Sequence, residues 1–219
     1  KDIKNNPPTK GGIFFMTYDL KSKKVVDLKE NWYDDKTAKK LAGEKYGAGD
    51  VLFAIDYLIE HNGDYYIVAH QYDTYRPIVY TSSSSVQTFY SGDLLLAKMK
   101  STGIIDWVRT AQRSISVRGT TGASHSVLTY NFFVADDKFN FVYVEHPDNV
   151  DKYSLDDATQ PQKFGTVSEV HKSNVILTSY DDKGKGTKRV IMENNETCIL
   201  PQNEDITVGN KLVIYLENQ

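Results

Sequence analysis

Several side chains of this sequence are of the types that bind or hydrolyse sugars. Four carboxylates lie next to predicted strands: Asp56, Asp73, Glu145 and Asp148. Three tyrosines in or near the first long loop have rings that could stack on a sugar: Tyr72, Tyr75 and Tyr90. A glycosidase needs two carboxyl groups about 5 to 10 Å apart. Because spacing along the chain cannot by itself place any two of these carboxylates together, the sequence assigns no catalytic residue.

Two histidines occupy matching places in the pattern of predicted strands. His70 and His146 each follow the second strand of an aromatic hairpin, and polar residues come directly after both. One interpretation is a rim of polar groups that faces a ligand; the other is that each imidazole bonds a neighbouring strand and closes a corner. Recurrence favours the structural interpretation, because a catalytic residue has no need to recur. The candidate binding residues are a mixed polar and aromatic set: His70, Tyr72, Asp73, Tyr75, Arg76, Glu145 and His146.

Composition and charge narrow the classes of partner. The net charge of the 219 residues is -3, and no run of Lys or Arg is interleaved with aromatic residues, so we expect no nucleic-acid partner. Cys198 is the single cysteine, which excludes an internal disulfide and a Cys-rich zinc site. We predict neither a metal nor a cofactor. No apolar stretch is long enough to predict a transmembrane helix.

The elements that must position these residues are hairpins of two kinds. The first kind, which we name A hairpins, joins two apolar or aromatic strands through a tight turn such as Asn62-Gly63 or Asp136-Asp137. Three segments have this pattern: Val51 to Asp73, Ser126 to Asn149 and Ile206 to Leu216. In the second of them, the strand after the turn is apolar on one side and mixed on the other, which predicts burial on both faces.

The second kind, which we name B hairpins, joins an apolar strand to a shorter one through a polar turn. Three segments have this pattern: Gly12 to Leu28, Asp93 to Val108 and Asn174 to Met192. The order along the chain is therefore B, A, B, A, B, A. An A hairpin followed by a B hairpin predicts a four-stranded antiparallel unit, because consecutive strands of this kind pair with their neighbours.

This order predicts an all-β, β-propeller-like fold with four-stranded antiparallel blades. We expect residues 1–10, which include Pro7-Pro8, to be a tail or linker, and residues 11–219 to form a single domain. The complete blades are predicted at about 51–113 and 126–195, and half blades at about 11–30 and 198–219.

The blade turns also carry a resemblance to a known family. Asp93 to Arg109, Asp137 to Asn149 and Asn174 to Val190 resemble the blade repeats of uncharacterised bacterial β-propeller proteins, through Tyr-Asp turns and the segment DKFNFVYVEHPDN. The resemblance implies the fold and brings no activity with it. Together with the scarcity of Cys and the abundance of Tyr, Ser, Thr and Asn, it favours a periplasmic, secreted or cell-surface location.

Two complete blades and two halves are fewer than the four to eight blades of closed propellers. Three hypotheses follow: the chain is a piece of a longer one, two copies complete a ring by self-association, or the sheets form an open stack. The absence of an initial Met favours the first. For function, we expect a non-catalytic scaffold that binds a protein or a glycan through its loop face, and the alternative is a carbohydrate-active propeller enzyme. An acid, base or metal set common to the loops would favour the enzyme, and the loops share none.

Overall fold

A computed structural model describes residues 11–34, 38, 53–75, 87–119, 130–151, 165–168, 172–193, 206–208 and 211–213. Within these ranges only the backbone is described for residues 72–75, 87–90, 117–119, 206–208 and 211–213. The described strands are β1 (Gly12–Asp19), β2 (Lys24–Trp32), β3 (Phe53–His61), β4 (Asp64–Tyr75), β5 (Gln87–Met99), β6 (Ile105–Ala111), β7 (Ile115–Gly119), β8 (Asn131–Ala135), β9 (Lys138–Glu145), β10 (Asn174–Tyr180), β11 (Gly186–Met192), β12 (Ile206–Val208) and β13 (Lys211–Val213).

The prediction of an all-β protein with antiparallel sheets is confirmed. Strands β3, β4, β5 and β6 lie side by side in one sheet, and β7 joins it by pairing with β5. Strands β8 to β11 form a second sheet in chain order. The hairpins β1-β2 and β12-β13 each form a two-stranded sheet. The radial arrangement of blades and the domain boundaries stay predictions.

The tight turns of the A hairpins follow from their central residues. Asn62 and Gly63 have φ values of 52° and 80°, and Asp136 and Asp137 have values of 50° and 53°. Two consecutive positive φ angles define the type I′ turn, whose twist matches that of the flanking strands. Asn, Asp and Gly tolerate this left-handed conformation better than other residues do. The turns predicted from the sequence therefore lie where the hairpins need them.

Each A hairpin that the structure describes with side chains buries its second strand most deeply. Every residue of β9 from Phe139 to Glu145 is buried, on both faces of the strand, as the sequence predicts. Strand β8 is described from Asn131, so the residues 126–129 that were expected to begin it lie outside the described part of the chain. A strand buried on both faces is central in its sheet, and β9 lies between β8 and β10.

The chain divides into two compact units, and the first comprises Lys1–Gln71, Leu94–Thr110 and Ala158–Gln160. Its core contains apolar residues of β4 and β5: Ile67, Ala69, Leu95, Ala97 and Met99. Ile13 and Phe15 of β1 pack against this core from one face of the β1-β2 hairpin. The Asn31 side chain fixes that hairpin, because it donates to the Gly103 carbonyl at 2.8 Å and accepts from the Ile105 amide at 3.0 Å.

The second unit comprises Tyr72–Asp93, Ala111–Asp157 and Pro161–Gln219. Its core includes Ile115, Val142, Val144, Val167 and Val175. Val167 joins this core through its backbone as well as its side chain, since its amide donates to the Ser114 carbonyl at 2.9 Å and its carbonyl accepts from the Ser116 amide at 2.8 Å. No helix in the described ranges has the length and hydropathy that a membrane span requires.

Candidate binding site

His70 pairs with Asp56 at an irregularity in the first A hairpin. The register of β3 against β4 shifts between Ile55 and Tyr57, which leaves Asp56 as the extra residue of a β-bulge. The Nδ1 atom of His70 lies 2.7 Å from Oδ2 of Asp56, and both side chains are partly exposed. His70 lies opposite Ala54 inside β4, which continues to Tyr75. The expected position just after the strand is therefore wrong for His70.

Glu145 is also a candidate binding residue, but its side chain is inside the protein. Its Oε2 atom lies 2.6 Å from Nζ of Lys188, and the Glu145 side chain is 0% exposed. Burial lowers the pKa of Lys188 below its usual range, although the negative charge of Glu145 acts in the opposite direction. The carboxylate of Glu145 thus neutralises a buried lysine, and a ligand at the surface has no access to it.

His146 closes a corner at the end of β9. It precedes the 3-10 helix Pro147–Asn149, and its Nδ1 atom accepts a hydrogen bond from the Asp148 amide at 3.2 Å. The Asn149 side chain donates to the Gly165 carbonyl and accepts from the Gly165 amide, both at 2.7 Å. A methyl group added at Gly165 would approach the His146 ring to 2.7 Å. The ring of His146 thus bonds the backbone of its own segment rather than that of a neighbouring strand, and its role as a binding residue stays a prediction.

The remaining candidates are described less fully. Tyr72, Asp73 and Tyr75 belong to the last residues of β4, for which the backbone alone is described, and Arg76 lies outside the described residues. His70 falls in the first unit, and the other six candidates fall in the second. Their joint use as one binding surface therefore stays a prediction.

Sequence reasoning missed two exposed apolar side chains of β3. Ile55 and Leu58 are 67% and 62% exposed. Ile55 lies opposite Ala69 and Leu58 opposite Ile67, so the bulge places both on the face that carries the core of the first unit. Strict alternation would have grouped Ile55 with Tyr57 instead. The sequence signal for these exposed side chains was the unbroken apolar run Tyr57-Leu58-Ile59. A strand with one face in solvent is expected to alternate apolar and polar residues instead.

Arg113 was also missed, and its surroundings are structural. Its side chain is buried, Nε donates to the Gly92 carbonyl at 3.1 Å, and a terminal nitrogen donates to Oγ of Ser91. The guanidinium carbon lies 5.7 Å from the centre of the Tyr130 ring. The Arg113 amide also donates to Oδ1 of Asp93 at 3.0 Å. A buried charge with this many partners holds the chain between β6 and β7 in place.

Within the part of the chain that the structure describes, no three His, Cys, Asp or Glu side chains form a group that could hold a metal ion. No family model matches the chain, and neither a curated protein nor a solved structure matches it. The inference about function therefore starts from the contacts of the described residues.

Proposed function

We propose that this protein is a non-catalytic, extracytoplasmic scaffold of β-propeller-like architecture that binds another protein. Part of the support is that two of the polar candidates, Glu145 and His146, have partners within the fold. Glu145 neutralises Lys188, and the ring of His146 accepts a hydrogen bond from the backbone of its own corner. Neither group presents a carboxylate or a free base to a substrate. Burial removes Glu145 from the four carboxylates that a carbohydrate-active enzyme, which needs two accessible carboxyl groups, could use here.

The observation that carries the proposal is the apolar surface of β3. Among the described strands, β3 is hydrogen-bonded only to β4, so it forms one edge of its sheet. Ile55 and Leu58 lie on one face of this edge, opposite the core residues Ala69 and Ile67, and both side chains are exposed. Exposed apolar surface that continues a core is typical of a protein interface. Two aliphatic side chains favour a protein over a glycan, since sugar binding relies on aromatic rings and hydrogen-bonding groups.

The bulge at Asp56 decides how a partner would use this edge. A bulge interrupts the regular row of backbone groups and so disfavours indiscriminate pairing with another strand. The Asp56-His70 pair sits at this point and fixes both side chains. We therefore place the recognition in the side chains Ile55 and Leu58 rather than in a long added strand. The partner would present apolar side chains of its own.

The propeller-like arrangement is supported by the order of strands within the two larger sheets. In both sheets an A hairpin is followed by a B hairpin, β3-β4 by β5-β6 and β8-β9 by β10-β11. The extracytoplasmic location rests on the scarcity of Cys, the abundance of Tyr, Ser, Thr and Asn, and the resemblance of the blade turns. Both remain parts of the proposal.

A displayed peptide library tests the function. The purified chain should select peptides with clustered apolar residues, and the double variant I55E/L58E should bind the selected peptides at least about tenfold more weakly. Full burial of one such side chain contributes roughly 1.5 to 3 kcal/mol, and about 1.4 kcal/mol corresponds to a tenfold change in Kd.

The matched control is I191E, because Ile191 is also an exposed aliphatic residue on a strand but lies on β11. This variant should bind the peptides as the unmodified chain does. Equal binding by I55E/L58E, or a library that yields no binder, would refute the β3 surface. A glycan array tests for sugar binding, and a panel of chromogenic glycosides tests for hydrolysis. Binding to glycans in place of peptides, or hydrolysis of any glycoside, would refute the proposal.

A further inference from the structure

We propose that the turn of the β1-β2 hairpin binds the surface of an anionic phospholipid membrane. The segment concerned is residues 18–26, which we name the basic tip. Its aliphatic side chains would enter the lipid layer, and its lysines would contact the phosphate groups. This inference does not use the β3 surface and stands independently of the proposed function.

The basic tip is exposed, in contrast to the base of the same hairpin. At the base, Ile13 and Phe15 pack against the core of the first unit. Farther along, every residue from 16 to 26 is exposed except Asp19, which is partly buried. Because side chains alternate along a strand, exposure of consecutive residues means that both faces of the ribbon are in water here. The tip is therefore accessible to a partner.

Three aliphatic side chains of the tip lie in water. Leu20 is 83% exposed, the highest value among the large apolar residues that the structure describes, and Val25 and Val26 are 52% and 59% exposed. The register of the two strands shifts between Thr17 and Tyr18, and Val26 is the extra residue of the resulting bulge. A bulge redirects side chains, and here two consecutive valines are exposed with the leucine.

The turn of the β10-β11 hairpin shows that the fold does not require an apolar residue at this place. Both turns begin with Tyr-Asp. Oδ1 of Asp19 and Oδ1 of Asp181 each accept from the amide two residues later, at 2.8 Å and 2.9 Å. The next residue is Leu20 in one turn and Asp182 in the other. The turn forms with either residue, so the exposed leucine serves an interaction rather than the turn, and grouped apolar residues at a surface mark such sites.

The positive charge of the tip selects the kind of partner. Lys21, Lys23 and Lys24 follow Leu20 closely, and all three are exposed. Three lysines and one aspartate give residues 18–26 a formal charge of +2, whereas the whole chain carries -3. The surface potential of a bilayer that contains anionic lipids is negative and attracts nearby lysines. The charge of the tip is thus opposite to that of such a surface.

The combination of aliphatic and basic side chains distinguishes a lipid surface from other anionic partners. A soluble polyanion would contact the lysines and leave Leu20 in water. At a bilayer surface, binding strength increases with the buried apolar area and with the attraction to anionic lipids, so both kinds of side chain contribute. Lysine stems can extend along apolar surface while the ammonium groups reach the headgroups. Tyr18, which is 46% exposed, adds an aromatic ring of the kind that is enriched at membrane interfaces.

Vesicle sedimentation with the whole chain tests the proposal. The chain should bind vesicles made of equal parts of phosphatidylglycerol and phosphatidylcholine, and it should bind vesicles of phosphatidylcholine alone at least about tenfold more weakly. The variant Leu20→Asn supplies the neutral counterpart of Asp182, which the matching turn accommodates. It should bind the anionic vesicles about tenfold more weakly, because one leucine fewer enters the lipid.

A matched pair of double variants separates the charge of the tip from the charge of the whole chain. K23Q/K24Q should weaken binding to the anionic vesicles at least about tenfold, since each lysine near the surface contributes a factor of about five. K183Q/K185Q removes the same number of charges from the exposed turn DDKGKG, which contains no large apolar residue, and should bind as the unmodified chain does. Far-ultraviolet circular dichroism of all variants should be unchanged.

Four results would overturn the proposal. The first is a chain that does not bind the anionic vesicles. The second is equal binding by Leu20→Asn, because the lysines alone would then account for the attraction. The third is an equal loss from K23Q/K24Q and K183Q/K185Q, which would attribute binding to net charge. The fourth is binding to long-chain inorganic polyphosphate in place of vesicles, which would assign the tip to a soluble anion.

Discussion

Two charged pairs of this protein, one in each unit, differ in their burial. In the first unit, Asp56 and His70 meet at a bulge where both side chains remain partly in water. In the second unit, Glu145 and Lys188 meet with side chains that are 0% and 7% exposed. Exposed pairs contribute little because water screens them, whereas a buried pair that loses one member leaves an unpaired charge in a medium of low polarity.

The difference extends to neutral polar groups. The second unit also buries the Tyr143-Thr178 contact and the bond from the Ser179 hydroxyl to Oδ1 of Asn140, which is 2.6 Å long. Hairpins of the same sequence pattern thus differ in where their polar side chains meet. In the first unit the polar pair lies at the edge of the core, and in the second unit the polar groups form a buried network. The comparison predicts that losing one member of a polar contact costs more stability where the contact is buried than where it is exposed.

The largest effect is expected at the buried pair. Glu145→Gln leaves the charge of Lys188 buried without its counter-charge, and we expect the free energy of unfolding to fall by about 3 to 5 kcal/mol in urea denaturation. The double variant E145L/K188M removes both charges and should be far less destabilised than the single one. A loss below about 1 kcal/mol for Glu145→Gln would remove the distinction between the two pairs.

A smaller loss is expected at the corner of His146. Gly165→Ala places a methyl group 2.7 Å from the ring of His146. Overpacking of this kind typically costs about 1 to 3 kcal/mol. Combining it with His146→Ala should recover part of the loss, which a double-mutant cycle of unfolding free energies measures. Additive effects would show that the added methyl group and the ring of His146 do not interact.

A pH dependence is expected in the first unit, from Tyr33. Burial raises the pKa of Tyr33 from 10.0 to about 12. The unfolded chain therefore loses this proton before the folded one does, so the stabilisation is complete below about pH 10 and is lost as the pH rises through 12. The difference in unfolding free energy between the unmodified chain and Tyr33→Phe should shrink steadily over that range. If the difference in unfolding free energy stayed constant over this pH range, the Tyr33 side chain would be as accessible to water as that of His70.

The smallest effect is expected at the exposed pair. Asp56→Asn keeps the shape of the side chain and removes its charge, and we expect a loss of less than about 1 kcal/mol, decreasing further in high salt. Unfolding in urea at low and high salt concentrations checks this. A loss equal to that of Glu145→Gln would contradict the central comparison, because exposure would then make no difference.

The sequence predicted the positions of the strands better than it predicted the contacts that the polar side chains make. The turns at Asn62-Gly63 and Asp136-Asp137 are encoded locally, since these residues adopt positive φ at low cost, and the all-β fold follows from them. The candidate site was less predictable. His70 and His146 look alike in the sequence, yet one lies within a strand beside a carboxylate and the other accepts a bond from its own corner.

The sequence by itself determined the hairpins, their turns and their alternation, because these depend on neighbouring residues and on side chains that alternate along a strand. Tertiary structure decided what lies inside. The side chain of Lys188 reaches Glu145 from another strand, and the bulge at Asp56 turns Leu58 towards the face of Ile55. Such contacts join residues that are distant in the chain or depend on a single register shift, so no local pattern specifies them.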